Sequence, residues 1–177
     1  MGKFYVGVTD YEWYDFLKKY LPSGQKNIDL NFWRSAASGK FQALEPGDLF
    51  LFKLRNTAKD SRLNGKIVGT AEFKLFEFNT VKEAWEKYKQ GNGCGTISVF
   101  EEKVKLINNG ETIEPGKEIG SIILSNVVFF DPSDWIDEPS DWQPAIVQGK
   151  TYDTVKSAEA IEIENAVTEL IKKNRIH

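Results

Sequence analysis

Histidine is almost absent from this chain: the single copy among 177 residues is His177, the last one. A catalytic triad, a histidine-ligated metal site and an HNH-type nuclease centre all need imidazole beside other polar groups, so none is expected within these residues. Cysteine is equally scarce. The lone Cys94 leaves no partner for an internal disulfide and no thiolate set for zinc, which fits a reducing, cytoplasmic setting. Long apolar runs are missing too: the most apolar stretch, 119–130, is interrupted by Gly120, Ser121, Ser125 and Asn126 and is too short to span a bilayer. The first residues, Met1-Gly2-Lys3-Phe4-Tyr5-Val6, carry no signal-peptide apolar region. Net charge is only -3, so the chain as a whole lacks the basic footprint of a bulk nucleic-acid binder. No Gly-x-x-x-x-Gly-Lys-Ser/Thr loop and no Gly-x-Gly-x-x-Gly occurs, which argues against nucleotide hydrolysis. There is no internal repeat and no low-complexity tract to divide the chain.

What remains is a globular composition, 41% hydrophobic with 13% aromatic, enough to close one domain-sized core. Charge is segregated along the chain. Lys53, Arg55, Lys59, Arg62, Lys66 and Lys74 face only Asp60 and Glu72 in 53–74, whereas Asp131, Asp134, Asp137, Glu138 and Asp141 crowd 131–141 with no cation.

Lys3 to Val8 alternates as a strand, and Thr9 or Asp10 can cap the helix that follows. In that helix Trp13, Phe16, Leu17, Tyr20 and Leu21 form the apolar stripe, leaving Tyr11 and Tyr14 to face ligand or water; Pro22-Ser23-Gly24 ends it. Pro46-Gly47-Asp48 turns into the apolar strand 49–54, the polar loop 55–66 carries Asn64-Gly65, and 67–78 forms a long strand in which Gly69 permits a bulge or a close backbone. Thr80-x-x-Glu83 is a capping box, a second capped helix opens at Ser98 and breaks at Asn108-Asn109-Gly110, and 119–130 returns to strand as the candidate centre of the sheet. The stretch 131–152, with Trp135, Trp142 and Tyr152, reads as irregular. From Ser157 onward Ile163, Val167, Leu170 and Ile171 mark a last amphipathic helix.

Asn31-Phe32-Trp33-Arg34-Ser35 stands out among these elements. A strand there puts Asn31, Trp33 and Ser35 on one face, an indole among hydrogen-bonding groups, which suits either a flat polar ligand or a plain half-buried core position. Asp48 with Glu72-x-Lys74 superficially matches a magnesium nuclease layout, but further acidic ligands are missing.

The motif order resembles the PUA-like superfamily and its EVE and YTH domains: Phe4 to Thr9 before a helix, Asn31-x-Trp33, Pro46-Gly47-Asp48 before Leu49 to Phe52, then Gly69-x-Ala71-Glu72. A wider pattern is similar to the amino-terminal domain of modification-dependent restriction endonucleases. It comprises Tyr5 to Asp10, Asn31 to Trp33, Phe50 to Lys53, Ala84-Trp85, Asn92-Gly93, Ile122 to Ser125, Asp134 to Ile136, Asp141-Trp142 and Val147 to Asp153.

The resemblance implies an α+β fold, a PUA-like (EVE/YTH-like) twisted, largely antiparallel β-barrel flanked by helices. It places a base-recognition domain over 1–155 and a C-terminal helix or linker over 156–177, packed on that domain or leading out of it. It implies a non-enzymatic module that reads a methylated or hydroxymethylated base in double-stranded DNA by base flipping, with no cofactor, no metal and no membrane. Its partner would be an HNH or McrBC-type nuclease, and this chain would be an excised recognition domain or a stand-alone relative. Trp33 matches a YTH cage tryptophan and Asn31 and Ser35 its polar neighbours, with Thr9, Asp10 and Tyr11 at the pocket. Arg34, Lys53, Arg55, Arg62, Lys150, Trp135 and Trp142 would form the rim or hold phosphates. Arg34 departs from the YTH pattern, so the modification itself does not carry over. RNA reading, common among PUA and YTH domains, and protein interaction through Trp135 and Trp142 are the alternatives.

Overall fold

The computed structural model describes residues 2–21, 28–56, 60–139, 142 and 149–175. In chain order the elements are β1 (Lys3–Thr9), α1 (Tyr11–Tyr20), β2 (Leu30–Ser35), β3 (Leu49–Leu54), β4 (Ile67–Thr80), α2 (Val81–Tyr88), α3 (Ile97–Ile107), β5 (Glu118–Phe129), β6 (Gly149–Asp153) and α4 (Ala158–Arg175). Short 3-10 turns lie at Ala36–Ser38, Lys89–Asn92 and Pro132–Asp134. The strands form a six-stranded sheet in the order β2-β5-β4-β3-β1-β6.

The sheet is mixed. β1 runs parallel to β3, whereas β1/β6, β2/β5 and β3/β4 are antiparallel. A parallel pair needs a long crossover, which α1 and β2 supply between β1 and β3. No described pairing joins β2 to β6, so hydrogen bonding does not close the expected barrel. The strand expected at the centre, β5, lies second from an edge instead.

Contacts divide the chain into two units, 1–11 with 47–72 and 127–177, and 12–46 with 73–126. In the first, Phe4 and Val6 of β1, Leu49 and Leu51 of β3, and Ala160, Ile163 and Val167 of α4 share one core with Phe130, Trp142 and Tyr152. Helix α4 therefore packs within this unit. Gly69 behaves as its sequence suggests: a Cβ there would lie 2.7 Å from the Val128 carbonyl oxygen, and the β3/β4 register slips between Phe52 and Lys53. In the second unit, Ala84, Cys94, Phe100, Val104 and Ile119 form a core against which Trp33, Val81, Trp85 and Ile113 pack.

Several local expectations change. Tyr14, expected to face ligand or water, is only 2% exposed, and Tyr20 of the presumed apolar stripe is 37% exposed. The α1 stripe is thus turned toward Trp13, Tyr14 and Leu17. The cap of α3 is Thr96, whose hydroxyl accepts from the Val99 N–H, and not Ser98, which lies inside the helix. Part of the stretch read as irregular is strand β6, paired with β1 from Lys3↔Asp153 to Gly7↔Gly149. The Thr80/Glu83 capping box forms as its spacing requires. The turn at Pro22-Ser23-Gly24 lies outside the described residues.

Candidate nucleic-acid interface

Strand β2 presents two unlike faces, both within the second unit. On one face Asn31 is fully buried, and its amide donates to Asn92 Oδ1 at 2.9 Å and to Ser121 Oγ at 3.2 Å. Asn92, also fully buried, has its own amide committed to the carbonyl oxygens of Ala84 (3.0 Å) and Lys89 (2.8 Å), which fixes its Oδ1 as the acceptor for Asn31. Two residues along, the Trp33 indole N–H donates to the Asn92 carbonyl at 2.9 Å, and its ring meets Phe100 edge-on at 5.4 Å. Trp33 is half-buried. Asn31 Oδ1 is buried with no hydrogen-bond partner.

Ser35, the third residue of that face, caps the following 3-10 turn by accepting from the Ala37 N–H at 3.2 Å. It also lines a cavity of about 100 Å³ with Ala36, Ile107, Asn108, Ile113 and Ile119. That is small beside ligand pockets of about 300–1,000 Å³.

The other face carries Phe32 and Arg34. Phe32 packs edge-on against Trp13 at 5.8 Å. The Arg34 guanidinium lies between two rings, 5.4 Å from the centre of Phe41 and 5.7 Å from that of Phe76, and donates to the Gly39 carbonyl at 2.9 Å. Adjacent strand residues point to opposite faces, so Arg34 does not share a pocket with Trp33.

Thr9, Asp10 and Tyr11 belong to the first unit. Thr9 is buried opposite Leu54, and its carbonyl accepts from the Arg55 N–H at 2.9 Å. Asp10 accepts from the Arg55 guanidinium at 2.9 Å, and Tyr11 is 43% exposed at the start of α1.

Lys53, expected at the rim or on phosphates, is paired, as are Lys66 and Lys173. Lys53, 1% exposed, lies 2.7 Å from Glu138 Oε2; Lys66 pairs with Asp137; Lys173 reaches Asp134 at 2.7 Å. Lys53 and Lys66 of the basic segment thus meet Glu138 and Asp137 of the acidic segment, far apart in sequence, inside the first unit. Arg62 bonds Asp60, which holds that carboxyl below its ordinary range. Lys150 stands over the Tyr152 ring at 5.4 Å. Trp142, 4% exposed, stacks on Tyr152 at 4.1 Å and is core, which removes it as an exposed interface anchor. Trp135 is half-buried and donates to the Phe130 carbonyl at 3.3 Å.

Among the described residues no group of three or more His, Cys, Asp or Glu is placed to hold a metal. Lys74 of the Glu72-x-Lys74 pattern is ion-paired with Asp29 at 2.7 Å. No described helix is long and apolar enough to cross a membrane. Burial pushes the Cys94 thiol up to about 11, against the nearby Lys103 charge, so it is a poor nucleophile. Iodoacetamide at pH 8 should label the folded chain far more slowly than the urea-unfolded chain; equal rates would show that the thiol is open.

Sequence reasoning assigned no role to Asn92, although it stands between Gly91 and Gly93, a spacing that marks a special turn. Gly93 has φ +85°, and a Cβ there would run into the Trp13 indole. Glu77 was likewise missed. Burial raises its pKa, but hydrogen bonds from Tyr88, Asn79 and Lys87 outweigh that and hold the carboxylate below its ordinary value.

No known protein family and no curated protein matches the chain. Among solved structures, the ASCH protein from Zymomonas mobilis is 10% identical with a TM-score of 0.53, covering 90% of this chain and 94% of that one. A tyrosine-to-phenylalanine variant of the same protein is 10% identical with a TM-score of 0.55, covering 93% and 97%. At this identity the likeness speaks for architecture alone: the chain shares the fold of these ASCH structures, α+β around a six-stranded mixed sheet.

Proposed function

We propose that this chain is a nucleic-acid recognition module that reads a modified DNA base turned out of the duplex, and that it serves as the specificity part of a modification-dependent restriction system. The observation that carries the reading is the Asn31 face of β2. It combines a half-buried indole, a fully buried amide whose Oδ1 has no partner, and a small cavity at the Ser35 end. Stacking on Trp33 and donation from a base amino group to Asn31 Oδ1 would offset an unstacking cost of a few kcal/mol. The cavity is too small for a base and is lined by Ser35 but by neither Trp33 nor Asn31, so in this reading the face must open for a base to reach them. The chain carries no catalytic group of its own in this reading, and an HNH or McrBC-type nuclease does the cutting.

Duplexes carrying 5-methylcytosine, 5-hydroxymethylcytosine or N6-methyladenine should bind more tightly than their unmodified parent. Trp33→Ala should remove that difference, and Trp33→Phe, which keeps a ring but loses the indole N–H, should retain part of it. Because Trp33 also packs on Phe100, each variant is checked for a folded thermal transition first. Equal affinity across all duplexes would sink the proposal, and a preference for the matching RNA strand would redirect it to RNA.

A further inference from the structure

The opposite face of β2 joins a continuous row of ring and guanidinium contacts that the Asn31 face does not use. Phe73 and Phe41 are buried, with ring centres 5.4 Å apart; the Arg34 guanidinium follows at 5.4 Å from Phe41; Phe76 lies 5.7 Å beyond it; and Phe78 meets Phe76 edge-on at 5.0 Å. The row grades from core to surface and ends on a ring that is 40% exposed. All of it lies in the second unit.

The backbone beneath is shaped for it. Gly120, paired with Arg34 across β5, would with a Cβ come within 3.2 Å of the Phe76 ring and 3.3 Å of Arg34 Cγ, so the missing side chain lets both lie flat on the sheet. Glu77, between the two outer phenylalanines, is turned to the other side of β4 by strand alternation, where Tyr88 and Lys87 hold it. Its negative charge is therefore kept off the aromatic surface. Arg34 contributes positive charge within the row, and Lys40 beside Phe41 is exposed.

A single exposed ring, edge-on to a Phe76 ring that itself lies on a guanidinium, is narrow for a protein interface, which gathers its aromatics into a broad buried patch. It suits one flat, electron-rich group on an anionic chain. We propose that Phe78, supported by Phe76 and Arg34, is a stacking platform for an unpaired nucleobase of a single strand, separate from the Asn31 pocket. This rests on the nucleic-acid reading above and extends it: a duplex with one base turned out leaves the opposite base without a partner. Every base has a π face, so the platform is tolerant of sequence.

The test is fluorescence anisotropy of the full chain at low salt with labelled oligothymidine and oligouridine of about 12 nucleotides, within the range of common single-strand sites. Phe78→Ala should weaken binding roughly ten-fold or more, Phe78→Leu should behave alike although it keeps apolar bulk, and Phe78→Trp should restore it. The thymidine and uridine arms separate DNA from RNA as the source of the base. Parent affinity retained in both Phe78→Ala and Phe78→Leu overturns the platform, as does a parent that binds modified duplex but neither oligonucleotide; the modified-base reading survives either result. A parent that binds no nucleic acid overturns both.

Discussion

Glu138→Gln should lower the unfolding free energy by about 3 kcal/mol, near the lower end of what removing one partner of a buried ion pair costs. The reason lies in Lys53. Its side chain is 2% exposed, whereas Glu138 is 23% exposed and supplies the carboxylate at 2.7 Å. The contact is an ion pair by distance, with Oε2 lacking a well-aligned hydrogen bond, so its strength is mainly Coulombic. Removing the charge leaves an ammonium inside β3, flanked by Val8 of β1 and Ile67 of β4, where water cannot replace the lost partner. Lys53→Met combined with Glu138→Leu should recover most of the loss, because an apolar pair carries no desolvation cost. Urea denaturation of the three variants checks this. A Glu138→Gln chain as stable as its parent would show that Lys53 reaches solvent. Gly65 is part of the same arrangement: its φ is +67°, and a Cβ would strike the Glu138 carboxylate.

Asn92→Asp should be more damaging than Asn92→Ala, although the aspartate is nearly isosteric. The Asn92 amide donates to two carbonyl oxygens, and its own oxygen accepts from Asn31. Alanine leaves those carbonyls without their donor, and an unmet buried polar group costs about 1–3 kcal/mol. Aspartate does that and also sets a buried negative charge against the same two oxygens, so a total loss of about 4 kcal/mol or more is expected. Thermal unfolding gives the ranking. Asn92→Ala should also loosen the turn whose carbonyl holds the Trp33 indole, and so blunt any modified-base preference without touching the base. The reverse ranking would mean that the Asn92 side chain reaches water.

The extent of sequence legibility follows from the range of the interactions involved. Thr80 and Glu83 cap α2 as their spacing requires, because both partners sit within one turn. Gly69 was readable because a glycine inside a strand pattern needs a close backbone, and Val128 supplies it. Thr96 in place of Ser98 was not, since both carry hydroxyls and only the helix start separates them. Tyr14 and Tyr20 exchanged burial because the apolar stripe on α1 could be drawn through either. Strand β6 was missed because an edge strand of Gly149-Lys150-Thr151-Tyr152-Asp153 lacks the apolar run that marks a buried one.

Sequence alone determined the absence of an imidazole centre before the last residue, the order of strands and helices apart from β6, and the singular face of Asn31, Trp33 and Ser35. These depend on residue identity and on spacings of a few positions. Tertiary structure alone decided that β1 and β3 run parallel, that β2 and β6 are edges, and that Asn92 holds both Asn31 and Trp33. It also decided what the charges do: Lys53 was expected at the rim or on phosphates, yet it meets Glu138 in space, as Lys66 meets Asp137. A charge pattern along the sequence gives the sign and density of charge. Whether an ammonium faces solvent, and so can meet a phosphate, depends on contacts between segments some 70 or more residues apart, which only the folded chain brings together.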